Sequence, residues 1–182
     1  MDNSLTIKKK VLGEDHPSLA VTLDNLGSLY SKQGKYNEAE KYHNNALTIK
    51  KKVLGEDHPD LAITLNNLGL LYYNQGKYKE AEDYYNNSLN LKKKVFGEDH
   101  PDSATTLYNL GSLYHNQYKY SKAKPLFKKA IEIMEKSFGK ESPLMVSHLM
   151  NYGNFLQKNN KNREATIIRM RAKAIQDKQK SK

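Results

Sequence analysis

The chain has 182 residues, no cysteine, and a net charge of +10 from 30 Lys and Arg against 20 Asp and Glu. The lack of thiols excludes disulfides, thiolate metal sites and cysteine nucleophiles and suits a reducing compartment. A mean hydropathy of −0.85 leaves apolar stripes too thin for one large core, and no apolar run approaches the ~18 residues of a membrane span. Met1-Asp2-Asn3 opens neither a secretory signal nor a transit peptide, so the expectation is a cytoplasmic chain.

Self-comparison dominates every other signal. Gly13-Glu14-Asp15-His16-Pro17 returns at Gly55 to Pro59 and Gly97 to Pro101, 42 positions on each time, with a worn copy at Gly139 to Pro143. Residues 1–16 read as the second half of a helix plus a linker, because Ser4 to Pro17 matches Ala46 to Pro59 except at its first residue. The chain is thus expected to open inside a repeat, as a piece of a longer array or one with atypical capping. Its exposed half-repeat is a candidate for self-association.

The next unit, 17–58, reads as two helices. Pro17 suits a first helical turn with Asp15 or His16 as cap, and Leu19, Leu23, Leu26 and Tyr30 follow at three- and four-residue steps. This is helix A, 17–33. Gly34 breaks it, and Tyr36, Ala39, His43, Ala46 and Ile49 trace helix B, 36–53, up to Gly55. The same reading places A helices at 59–75, 101–117 and 143–159, and B helices at 78–95, 120–137 and 162–178. Units 59–100 and 101–142 keep the pattern. Unit 143–182 is degenerate and ends in a polar tail, as a capping repeat requires. Period-2 alternation is missing, so the expected class is all-α, with stacked pairs supplying the core that one pair cannot bury alone.

A period of 42 also suits HEAT or armadillo helices or a propeller blade, so the residues must decide. Leu26-Gly27-x-x-Tyr30, Gly34-x-Tyr36-x-x-Ala39 and Ala46-Leu47 resemble the tetratricopeptide consensus. The Leu-Gly-Glu-Asp-His-Pro linker and Leu-x-Asn-Leu-Gly in helix A are similar to the 42-residue subclass of kinesin light chains and many bacterial arrays. The resemblance implies a right-handed superhelical solenoid of antiparallel helix pairs, with A helices lining a concave groove that holds peptide or protein segments. It transfers no cargo.

On helix A, the stripe beside the expected core carries Val21, Asp24, Asn25 and Ser28 in the first full repeat. The second places Ile63, Asn66, Asn67, Leu70, Tyr73 and Asn74 there, and the third Thr105, Tyr108, Asn109, Ser112, His115 and Asn116. Met150, Asn151 and Asn154 stand in the fourth. Asn25, Asn67, Asn109 and Asn151 share one register, and an amide that both donates and accepts can pair with the backbone of an extended peptide. The alternative reading is that each Asn caps or bridges adjacent A helices. Leu70, Tyr73 and Tyr108 are candidate apolar anchors.

Other residues tempt less. His16, His58 and His100 are expected at helix starts and His43 in the core, not on a metal, because stacked copies lie ~10 Å apart while zinc ligands sit ~2 Å from the ion. Lys8 to Lys10, Lys50 to Lys52 and Lys92 to Lys94 are expected on solvated B-helix ends, complementing the dipole. Aligned into a basic stripe, they offer the alternative reading of a site for nucleic acid, another polyanion or an acidic partner. No Walker-type loop, dinucleotide fingerprint or nucleophile elbow is present. Accordingly no catalytic residue, metal or cofactor is expected, and the expected activity is protein binding, not catalysis.

Overall fold

The structure, a computed structural model, describes residue 11 and residues 13–180. The half-helix expected over 4–12 lies outside those residues except for Val11, and so do the lysines at 8–10.

Histidine starts the repeats. His16 Nδ1 accepts from the Ser18 amide at 3.2 Å, and His58 and His100 do the same for Asp60 and Asp102 at 3.2 and 3.3 Å. Each ring thereby satisfies an amide that has no partner within the first helical turn. Between the two candidates for the first cap, His16 takes the role.

From residue 17 onward the elements are α1 (Pro17–Lys32), α2 (Tyr36–Leu54), α3 (Pro59–Asn74), α4 (Tyr78–Phe96), α5 (Asp102–Asn116), α6 (Tyr120–Phe138), α7 (Met145–Lys158) and α8 (Asn162–Lys180). These fall within two residues of the expected A and B helices, and no strand occurs among the described residues. The chain is an all-α helical-repeat solenoid. It divides into two compact units, Met1–Gly97 with α1 to α4 and Glu98–Lys182 with α5 to α8.

In the first unit, α1 closes on α2 through Leu19, Ala20, Leu23 and Ala46. Next, α3 packs on α2 through Ala39, Leu68 and Leu71. In the second unit, Ala104, Ala130, Ile133, Met145, Leu149 and Ala172 form the core, extended by Phe127 against Phe155 with ring centroids 4.9 Å apart.

Close approach within each pair explains the Leu-Gly motif. A Cβ on Gly69 would stand 2.6 Å from the Tyr85 ring, and one on Gly27 2.8 Å from the ring of His43. No side chain fits there unless the facing ring shifts. The turn between A and B needs a left-handed residue, which Gly34 and Gly76 supply at φ 74°, while Tyr118 and Asn160 hold φ 60° and 59° in the later copies. The last helix is mostly polar. Nevertheless, Ile167 and Met170 stand exposed on α8, interrupting the hydrophilic outer face expected of a cap. They occupy the registers of Lys41 and Asn44, which are exposed in α2.

Candidate functional site

The A-helix stripe is partly open in both units. In the first unit, Asn25 and Asn74 are exposed, Asn66, Asn67 and Tyr73 are half-buried, and Leu70 is exposed. The Tyr73 ring leans on Tyr78, with centroids 6.0 Å apart. In the second unit, Asn116 is exposed, whereas Tyr108, Asn109, Ser112, His115 and Asn151 are half-buried. The ring of Tyr108 lies 5.2 Å from Phe127 and 6.1 Å from His148. His115 packs 5.6 Å from Tyr120 and 5.3 Å from Phe155. Burial, aided by the nearby charge of Lys158, pushes its pKa below the ordinary histidine value and favours the neutral ring, which both donates and accepts.

One residue of the expected stripe is elsewhere. Asp24 is only 5% exposed, and it organises a buried polar cluster where α1, α2 and α3 meet. Its Oδ1 lies 2.9 Å from His43 Nδ1, while Oδ2 accepts from Lys50 Nζ and from the Thr64 hydroxyl, both at 2.6 Å. Thr64 in turn accepts from Lys50 at 2.8 Å, and the same ammonium reaches the Asp60 carbonyl at 3.2 Å. A carboxylate cannot be taken out of water unpaired. With three donors around it, Asp24 faces the core where a helical wheel puts it beside Asn25.

The first lysine of each described cluster departs from expectation in the same way: Lys50 and Lys92 are buried, not solvated. In the two described triplets the last lysine reaches back to the carboxylate of the preceding linker, Lys52 to Asp15 at 2.5 Å and Lys94 to Asp57 at 2.7 Å. Further along, Lys136 reaches Asp99 at 3.1 Å and Lys178 reaches Glu141 at 2.8 Å. Hydrogen bonds from Lys129 and Lys136 hold the Asp99 carboxyl below its ordinary value. Lys51, Lys52, Lys93 and Lys94 remain exposed, as expected of a solvated B-helix end, and two of them are paired with linker carboxylates.

The partners of Asp24 escaped the sequence reading because Lys50 and Thr64 come from α2 and α3, far along the chain. A signal existed in the copies. Where the first repeat has Asp24, the later ones have Asn66, Tyr108 and Met150, and the slot of His43 carries Tyr85, Phe127 and Arg169. The lysine register outlasts the carboxylate: Lys92 still stands opposite Asn66 in the second repeat, and only in the third, with Met134, are both charges gone.

Comparisons with known proteins agree with this geometry. The tetratricopeptide repeat profile matches residues 1–52, 25–94 and 60–136. No curated protein matches the chain by sequence. Among solved structures, BtubC (BKLC) from P. vanneervenii is similar at TM-score 0.78 and 24% identity, covering 92% of this chain and 67% of that one. A Podosopora anserina protein of nearly identical TPR-like repeats, provisionally assigned to the kinesin light chains, aligns at TM-score 0.70 and 23% identity, over 96% of this chain and 83% of its own. Aspartyl phosphate phosphatase F from Bacillus subtilis aligns at TM-score 0.76 and 20% identity, over 89% of this chain and 41% of the phosphatase. At such identities the shared property is the fold. Among the described residues, no helix is long and apolar enough to cross a membrane.

Proposed function

The chain belongs to the tetratricopeptide repeat family of protein–protein interaction scaffolds, and on that premise we propose that it holds a peptide or protein segment against the open stripe of its A helices. The observation carrying this reading is that one register, occupied by Asn25, Asn67, Asn109 and Asn151, keeps an amide within reach of solvent, while neighbouring residues of the same helices, Leu23, Leu68, Leu110 and Leu149, are buried. An amide carries donors and an acceptor enough to pair with the main chain of a bound segment as well as with its own scaffold. Leu70 and Tyr73 in the first unit, and Tyr108 and His115 in the second, offer apolar or aromatic surface beside them.

The test is affinity capture with the unmodified chain and with the Asn67→Ala/Asn109→Ala variant, followed by calorimetric titration of whatever is captured. Losing hydrogen bonds worth about 1 kcal/mol each should weaken the partner by roughly ten-fold or more, with the helical circular-dichroism signal unchanged. Equal affinity for both proteins would remove the Asn ladder from the interface.

A further inference from the structure

The interface between one repeat's B helix and the next repeat's A helix is filled differently in the two units. In the first, between α2 and α3, Tyr72 occupies the gap: its hydroxyl donates to Glu40 at 2.7 Å and its ring stacks on Tyr84, centroids 5.3 Å apart. In the second, between α6 and α7, the residue at the Tyr72 register is Leu156, and Ile168 replaces Tyr84. The carboxylate is replaced as well, by Lys124 at the register of Glu40. The Tyr72 phenol and the Glu40 carboxylate thus have no counterpart at their own registers in the second interface, and a cavity of about 510 Å³ opens there.

Its lining follows from those exchanges. Pro125, Phe155 and Leu156 form an apolar wall with the Tyr120 ring, and Lys124, Lys128 and Lys161 bring three ammonium groups to the same cavity. Lys124 lies 3.5 Å from Glu164, whereas Lys128 and Lys161 form no ion pair with any described residue. Beside it, Tyr118 keeps a left-handed backbone, is 79% exposed, and lies edge-on to Tyr120 at 6.2 Å.

From this substitution pattern we infer that the α6/α7 cavity binds a small aromatic carboxylate, which returns to the second interface the ring and the anion that Tyr72 and Glu40 supply in the first. The ring lies against Phe155, Leu156 and Pro125, and the carboxylate accepts from Lys128 and Lys161, with Lys124 shared between ligand and Glu164. A volume of about 510 Å³ falls within the ordinary range of small-molecule sites and admits a two-ring acid. The site is separate from the A-helix amide ladder and does not depend on it.

The probe is indoleacetate, titrated into the isotopically labelled full chain while the amide NMR spectrum is followed, with neutral indoleacetamide in a parallel arm. Expected are saturable shifts confined to residues 120–128 and 155–161, and binding of the amide weaker by about ten-fold or more, as loss of charge-assisted hydrogen bonds requires. Leu156→Tyr should abolish binding by refilling the gap as Tyr72 does. Should that variant melt early, Lys124→Gln/Lys128→Gln, at solvent-accessible positions, serves instead and should weaken the acid about ten-fold or more without affecting the amide. Asn67→Ala/Asn109→Ala should leave binding unchanged, so failure here and failure of the ladder are told apart. Absence of saturable shifts, equal affinity for acid and amide, or retained binding in a stable Leu156→Tyr protein would overturn the inference. So would an Asp-flanked Phe peptide that saturates the cavity when indoleacetate does not.

Discussion

One slot in the fold is filled in opposite ways in the two units of the chain. Beneath the first A helix it holds Asp24, His43 and Lys50, closed by Thr64 from the next repeat. Two repeats on, the same registers carry Tyr108, Phe127 and Met134, with Phe127 and Met134 buried and Tyr108 lying on Phe127. The helix pair is conserved in length and spacing while its filling passes from ionic to apolar. The backbone arrangement is therefore specified by small residues, caps and turns, and the slot is free to vary as long as whatever is buried is either satisfied or apolar.

The largest effect should come from breaking the ionic version. Asp24→Ala leaves the Lys50 ammonium buried against Thr64 and a carbonyl alone, which should cost about 3–5 kcal/mol in the first unit. Urea unfolding, followed by hydrogen exchange in α1 to α3, measures the loss. Copying the second unit with Asp24→Tyr/His43→Phe/Lys50→Met should recover most of it, because a well-packed apolar replacement removes the charges together. A triple variant as damaged as Asp24→Ala would show that the two fillings are not exchangeable.

Acid should separate the two units in the same sense. Burial by itself raises the Asp24 carboxyl, but hydrogen bonds from His43, Lys50 and Thr64, with the Lys50 charge, outweigh it and hold the group below its ordinary value. A carboxyl depressed in the folded state contributes stability that is complete above its unfolded value of about 4 and is lost as pH falls through the folded one. Exchange protection in α1 to α3 should therefore fall more steeply below about pH 4 in the natural chain than in the triple variant.

A smaller loss is expected at the glycine of close approach. In Gly69→Ala the new methyl meets the Tyr85 ring at 2.6 Å, and in Gly111→Ala it meets Phe127 at 3.1 Å. Overpacking of about 1–3 kcal/mol exceeds or balances the gain of about 1 kcal/mol from replacing a helical glycine. Thermal melts should show Gly69→Ala clearly destabilised and Gly111→Ala less so. The reverse order would mean that Tyr85 yields more easily than Phe127.

These particulars show which features a sequence exposes. Helix limits and histidine starts were legible because each repeats at a fixed period and depends on neighbours a few residues away. Asp24 was not, since a helical wheel sorts residues by register, and only the third dimension reveals that Lys50 and Thr64 reach the same point. Lys50 was hidden further inside a triplet of identical residues whose burial differs one by one. The α6/α7 cavity was hidden for another reason: it arises from Leu156, Lys124 and Ile168 acting together on three helices, each exchange being unremarkable alone.

The second repeat stands between the two fillings, and its Tyr85 gives the finest test. The ring is fully buried in the slot that His43 and Phe127 occupy in the neighbouring repeats. Unlike His43, its hydroxyl has no hydrogen-bond partner among the described residues, and burial, with the nearby Tyr73, pushes its pKa above the ordinary tyrosine value. A buried hydroxyl without a partner opposes folding by about 1–3 kcal/mol, so deleting it while keeping the ring removes a cost without opening a large space. Tyr85→Phe should leave the melting temperature unchanged or raise it by a few degrees. A loss of more than about 1 kcal/mol would instead mean that an ordered water holds the hydroxyl, and that the second repeat belongs with the polar filling of the first and not with the apolar filling of the third.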